Sequence, residues 1–143
     1  MAGYAKRRGA PLVTGTRAPV LVSAVPAVAA LVLLAVTAWC RLQRAEVHGT
    51  SMVPALIPGD RLVVWKGTAR MRAGNIVAAT DPRQPERQVL KRVAAVGPEG
   101  VTLLGDNPDA STDSRELGPF PLACIRGRAV YRYYPPQRAG RLP

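Results

Sequence analysis

Residues 19–40, PVLVSAVPAVAALVLLAVTAWC, contain no charged side chain, and no other feature constrains the fold of this chain as strongly. As a helix, such a run rises about 1.5 Å per residue and reaches roughly 33 Å, enough to cross a hydrocarbon core. It is longer than the apolar region of a cleavable export signal, and no Ala-x-Ala site follows it. A lipoprotein-type role for Cys40 would need a small residue before it, and Trp39 is bulky. The expectation is a retained transmembrane helix over 19–40, separating a basic tail (1–18) from a domain over 41–143.

Charge gives the orientation. Lys6, Arg7, Arg8 and Arg17 precede the apolar run with no acid among them, and Arg41 and Arg44 follow it. That bias puts the N-terminus inside and the domain outside, at the plasma membrane. The net charge of +11 invites a nucleic-acid reading. Residues 41–143, however, hold 16 Lys+Arg against 9 Asp+Glu, scattered and with little aromatic interleaving to stack bases. A solvated face near anionic headgroups fits better, so the expected partner is the membrane and no nucleic acid. Cys40, Cys124 and the single His48 offer no metal-ligand spacing, so neither metal nor cofactor is expected. A disulfide and two lone thiols fit the cysteines equally.

Within 41–143, short β-rich stretches alternate with turn formers. Strands are expected over 61–65, over 75–80 (NIVAAT) and 88–96 (QVLKRVAAV) with DPRQPER as their connection, and over 101–104. Residues 124–134 alternate, with Arg126, Arg128 and Arg132 on one face and Ile125, Ala129, Tyr131 and Tyr133 on the other. Residues 108–121 read as a long polar loop, and no soluble helix is expected. The fold class is therefore mainly β: a small antiparallel sheet or barrel-like domain behind one N-terminal transmembrane helix.

Two residues in this domain suggest chemistry. Ser51 lies in GTSMVPALIPGD, where Gly49 frees the backbone before it and Pro54 restricts it after, as an exposed nucleophilic hydroxyl would need. By itself a serine in a Gly/Pro loop is a turn residue. Lys91 adds the second element: in QVLKRV, period two puts Val89, Lys91 and Val93 on one face. A lysine there is either an edge residue or a buried amine. Burial penalises the charged form and lowers the pKa from its reference of about 10.4, which is how a lysine becomes a base near neutral pH. Arg92 falls on the opposite face and reads as structural. The loop GDNPDASTDSRELG is a poor calcium loop, since Pro108 and Ala110 occupy positions that would need oxygen ligands. An Asp113/Arg115 pair with a buried hydroxyl at Ser111 or Ser114 fits it better.

Taken in order, SMVPAL, GDRLVV, LKRV and GDNPDASTDSR resemble the successive boxes of the type I signal peptidases, from Ser51 to Gly118. The resemblance implies a serine-type endopeptidase that removes signal peptides from preproteins. In it Ser51 is the nucleophile, Lys91 the general base, Ser111 the hydroxyl that orients the lysine amine, and Asp113 and Arg115 a structural ion pair. The oxyanion hole would use the Ser51 backbone N–H, because Gly49 stands where some relatives carry a hydroxyl. There are departures: the lysine box continues as KRVAAVGPEG instead of reaching Gly-Asp, Asn75 replaces an acid at a strand start, and the second-domain insertion of larger members is absent. Short relatives include the nickel-type superoxide dismutase maturation proteases, so a nickel superoxide dismutase precursor is an alternative substrate.

His48, three residues before Ser51, reads as a structural or surface histidine, and Met52 as part of a membrane-facing rim. From other classes, a non-catalytic membrane-tethered β module would be expected to have lost Ser51 or Lys91. A self-cleaving repressor would need DNA-binding helices where the apolar run sits.

Overall fold

The computed structural model describes residues 25–143. The basic tail assigned to 1–18 and the start of the apolar run, 19–24, lie outside them. The described part of that run is helix α1 (Val25–Cys40), 16 residues that span roughly 24 Å. None of its side chains is buried. Among the described residues no helix is long and apolar enough to cross a membrane by itself.

The rest is mainly antiparallel β. Strands β1 (Leu42–Glu46), β2 (Arg61–Lys66), β3 (Ile76–Asp81), β4 (Gln84–Gly97), β5 (Gly100–Leu104), β6 (Ile125–Tyr134) and β7 (Gly140–Arg141) form one sheet. Its order is β1-β2-β6-β3-β4-β5, with β7 on β6. Strand β3 is buried along its whole length and separates two apolar clusters. Ile76 and Ala78 join Met52, Leu56, Leu62 and Val64 in one. Val77 and Ala79 join Val93, Val101, Leu103 and Phe120 in the other. This is why IVAATD shows no apolar–polar alternation: both faces are covered.

Several expectations need correction. Residues 42–46, LQRAE, lie outside the expected strands, yet they form β1 and pair with β2 from Leu42↔Trp65 to Glu46↔Arg61. The segment DPRQPER is not a loop: only Pro82 and Arg83 separate β3 from β4, and Asp81 Oδ1 accepts the Arg83 N–H at 2.9 Å to close the turn. Between the pairs Asp81↔Gln84 and Thr80↔Gln88 residues 85–87 bulge from the ladder, which accommodates Pro85 and the charges beside it. In β6, Ile125 and Ala129 are buried as alternation requires, but register shifts against β2 break the pattern and leave Tyr131 and Tyr133 exposed. Residues 108–121 contain a 3-10 turn and a one-turn helix, α2 (Ser114–Leu117), and Phe120 is buried and bridges to Val101. Met52 is 1% exposed, so it belongs to the core and not to a membrane-facing rim. Cys40 and Cys124 are free thiols.

Candidate active site

Strand β4 changes partners along its length. Residues 88–92 pair with β3, and Arg92 to Gly97 pair with β5. Over 88–91 the side of β4 away from β3 therefore has no strand against it among the described residues. Among the described residues strand β1 likewise pairs only with β2. These two open edges border one cleft of about 720 Å³, and Ser51 and Lys91 both line it.

Lys91 is 3% exposed, on the face shared with Val89 and Val93 and opposite Val77. Its Nζ donates to Ser111 Oγ at 2.7 Å, and that hydroxyl donates to Asp113 Oδ2 at 2.6 Å. Asp113 is fully buried and accepts from the Gly105 N–H at 2.8 Å, from Arg115 Nε at 2.9 Å and from Arg115 Nη2 at 2.5 Å. It also caps α2 by accepting the Arg115 N–H.

The electrostatics follow from these contacts. Burial pushes the Lys91 amine below its ordinary 10.5; the Asp113 carboxylate opposes this, and the guanidiniums of Arg87 and Arg115 assist it. Burial alone would raise the Asp113 carboxyl. The hydrogen bonds from Arg115, the Gly105 N–H and Ser111 instead carry it well below the usual carboxylate range. Arg115 is in turn held above its ordinary value by Asp113. The result is a paired Asp113/Arg115 beside a lysine that gives up its proton more readily than a free amine does.

Ser51 sits partly buried in a loop whose ends are tied together by a hydrogen bond from Val47 N to Asp60 O, at 2.9 Å. Met52 and Leu56 anchor that loop in the core, and the Leu56 N–H donates to Met52 O at 2.8 Å. From the other side, Asn107 N donates to Ser51 O at 2.9 Å and Asn107 Nδ2 to Thr50 O at 3.3 Å. The Ser51 N–H has no protein acceptor among the described residues. Gly105 lies at the joint: a Cβ there would collide with Ser111 Oγ and approach Ser51 O to 2.7 Å. Only glycine lets the two halves of the site come this close.

The structure thus brings together Ser51, Lys91, Ser111, Asp113 and Arg115. Ser114 is a separate structural hydroxyl, accepting the Leu103 N–H at 2.8 Å. His48 is exposed on the cleft rim. Arg92, read as structural, donates from Nε and Nη2 to Asp106 at 2.7 and 2.6 Å and from Nη1 to Gly74 O at 2.7 Å. Asp106 as the partner of Arg92, and Asn107 and Gly105 as supports of Ser51, are not among the residues expected from the sequence. The Gly-Asp-Asn run directly after a strand was the available signal.

The sequence of this chain matches the family model described as signal peptidase, peptidase S26, over residues 19–103 and 96–134. It is 35% identical over 138 residues to the mitochondrial ATP-independent inner membrane protease subunit 1a of Arabidopsis thaliana, covering 78% of this chain and 82% of that protein. Over 123 residues it is 30% identical to the mitochondrial inner membrane protease subunit 2 of Mus musculus, covering 68% and 70%. Over 119 residues it is 37% identical to the mitochondrial inner membrane protease subunit 1 of Xenopus tropicalis, covering 66% and 70%. With the open-edged cleft, the buried lysine and these matches in hand, we conclude that the chain belongs to the signal peptidase S26 family of peptidases.

Proposed function

We propose that this protein is a membrane-tethered serine endopeptidase that removes N-terminal signal peptides from exported preproteins, with Ser51 as nucleophile and Lys91 as general base. The observation that carries the reading is a buried amine, aimed by Ser111 at 2.7 Å, on the same cleft as a serine in a braced loop.

In this reading an extended substrate lies in the cleft and adds main-chain hydrogen bonds to the open edges of β1 and β4. Ser51 Oγ attacks the scissile carbonyl carbon while its proton passes to the neutral Lys91 Nζ. The Ser51 N–H donates to the oxygen that gains negative charge. As the tetrahedral intermediate collapses, Lys91 returns the proton to the leaving amine and the acyl group stays on Ser51. A water then attacks the ester carbonyl as Lys91 takes its proton; the bond to Ser51 Oγ breaks, Lys91 passes the proton to that oxygen, and the new C-terminal carboxyl group leaves. Ser111 holds the amine through both halves, and Asp113 with Arg115 holds Ser111.

The exposed apolar α1 is the end of the anchor proposed over 19–40, since a helix apolar on all sides needs a nonaqueous surround. We assign the cell membrane, with the N-terminus inside and residues 41–143 outside. The names of the relatives place those proteins in the mitochondrial inner membrane, and fractionation of a tagged chain tests the assignment.

The function is tested by incubating detergent-solubilised protein with a preprotein carrying an Ala-x-Ala site and with a nickel superoxide dismutase precursor. Cleavage of the first after the second alanine is expected. Cleavage of the dismutase precursor alone would assign the maturation-protease role instead, and cleavage of neither would favour a non-catalytic module.

A further inference from the structure

A second cluster of buried charge lies at the other end of the Ser51 loop. The Asp60 carboxylate is wholly buried. Its Oδ2 accepts the Ile57 N–H at 3.1 Å and Arg132 Nη1 at 3.2 Å, and its Oδ1 accepts Arg138 Nη1 at 3.2 Å. The same two guanidiniums also donate to the Ala55 carbonyl, at 3.0 Å from Arg132 and 3.3 Å from Arg138. Arg132 Nε in turn donates to Arg138 O at 2.5 Å, joining the two arginines into one unit. Arg132 belongs to β6 and Arg138 to the 3-10 turn Pro136–Arg138 that follows it.

Stability alone is a weak reason for such a cluster, because buried ion pairs are often replaceable by apolar side chains at little cost. Two planar forks on one carboxylate and one loop carbonyl supply a defined position for the backbone they grip. That backbone is Ala55–Ile57–Asp60. One turn earlier, through the Leu56 N–H to Met52 O bond, it leads to the residue adjoining Ser51. Neither arginine borders the cleft.

We infer that Arg138, acting with Arg132 through Asp60 and Ala55, is a positioning residue that holds the Ser51 loop in register with Lys91. The inference rests on the reading of Ser51 as nucleophile. Misplacing a reacting group by about 1 Å costs up to about a hundredfold in rate, so a loosened clasp is read in turnover and not in binding.

The test compares wild type, Ser51→Ala, Arg138→Gln and Arg138→Lys in detergent, on the Ala-x-Ala preprotein. It reads kcat and KM separately, the thermal midpoint, and amide exchange at Val53 and Leu56. Arg138→Gln leaves Arg132 on Asp60, and Arg138→Lys keeps the charge and serves if the glutamine variant does not fold. Arg138→Gln is expected to lower kcat about tenfold with KM within about twofold, and to quicken exchange at Val53 and Leu56 while leaving β3 unchanged. Arg138→Lys is expected to recover part of the turnover. Unchanged kcat, a loss confined to KM, or unaltered loop exchange would overturn the inference. A failure confined to the clasp gives an inactive Ser51→Ala beside a fully active Arg138→Gln. Cleavage retained by Ser51→Ala instead overturns the nucleophile assignment and this inference with it.

Discussion

Lys91 Nζ lies 2.7 Å from Ser111 Oγ, and that hydrogen bond ties the buried amine to the loop after β5. Lys91 comes from β4 and Ser111 from the loop after β5, 20 residues further along. The hydroxyl passes the contact on to Asp113 at 2.6 Å. Replacing Ser111 by Ala would leave the amine buried without its aiming partner. We expect turnover to fall roughly three- to a hundredfold, the rate equivalent of about 0.5–3 kcal/mol. Steady-state kinetics on the preprotein check it.

Arg115 contributes to the pH range of the lysine. Burial lowers the Lys91 pKa, Asp113 raises it, and Arg87 and Arg115 lower it again. A general base works when neutral, so activity should rise with pH along a limb whose apparent pKa lies below 10.5. Removing the Arg115 charge leaves Asp113 uncompensated beside the amine. Arg115→Gln is therefore expected to move the rising limb to higher pH, and a pH profile of kcat/KM reads it.

Asp113 governs acid stability. Its folded-state carboxyl is held below the ordinary 3.8, so the folded form binds fewer protons than the unfolded chain. The stabilisation is complete above the ordinary value and is lost as pH falls through that value toward the depressed one. Asp113→Asn removes the charge that Arg115 and the Gly105 N–H address in a fully buried position. We expect a lower denaturant midpoint at neutral pH, and a flatter acid limb in denaturant titrations between about pH 5 and 2.

Gly105→Ala probes the joint between the halves. A methyl there meets Ser111 Oγ and Ser51 O at once. Overpacking of this kind costs typically about 1–3 kcal/mol. The strain falls on the two groups that must stay aligned, so activity should drop by more than the shift in thermal midpoint accounts for.

Much of this site was legible before folding. Period two along QVLKRV put Lys91 on one face with Val89 and Val93 and left two options, an edge residue or a buried amine; the structure gives the second. The Gly/Pro context of Ser51 marked a rigid loop. What escaped notice depends on contacts distant in sequence. Arg132 and Arg138 reach Asp60 across 72 and 78 residues, and a lone Asp before a strand gives no hint of them. Strand β1 escaped because LQRAE is short, half polar and at a sheet edge. The start of β4 escaped because a bulge hides Pro85 and two charges in what read as a turn. A Gly/Pro loop gives no sign of which side chains turn inward, and this one folds on Met52 and Leu56 instead of exposing Met52 at a rim.

The central claim is that Ser51 and Lys91 act as one unit, and a double-variant comparison tests it most directly. Cleavage of the Ala-x-Ala preprotein is measured for Ser51→Ala, Lys91→Met and the variant carrying both, each with its thermal midpoint. Residues that share one catalytic act lose activity together, so removing the second after the first costs nothing further. The account predicts the same residual rate for all three, with folding retained and the Lys91→Met midpoint equal to or above wild type, since a buried amine is removed. Substantial cleavage by either single variant, or separate losses that multiply in the double variant, would contradict it.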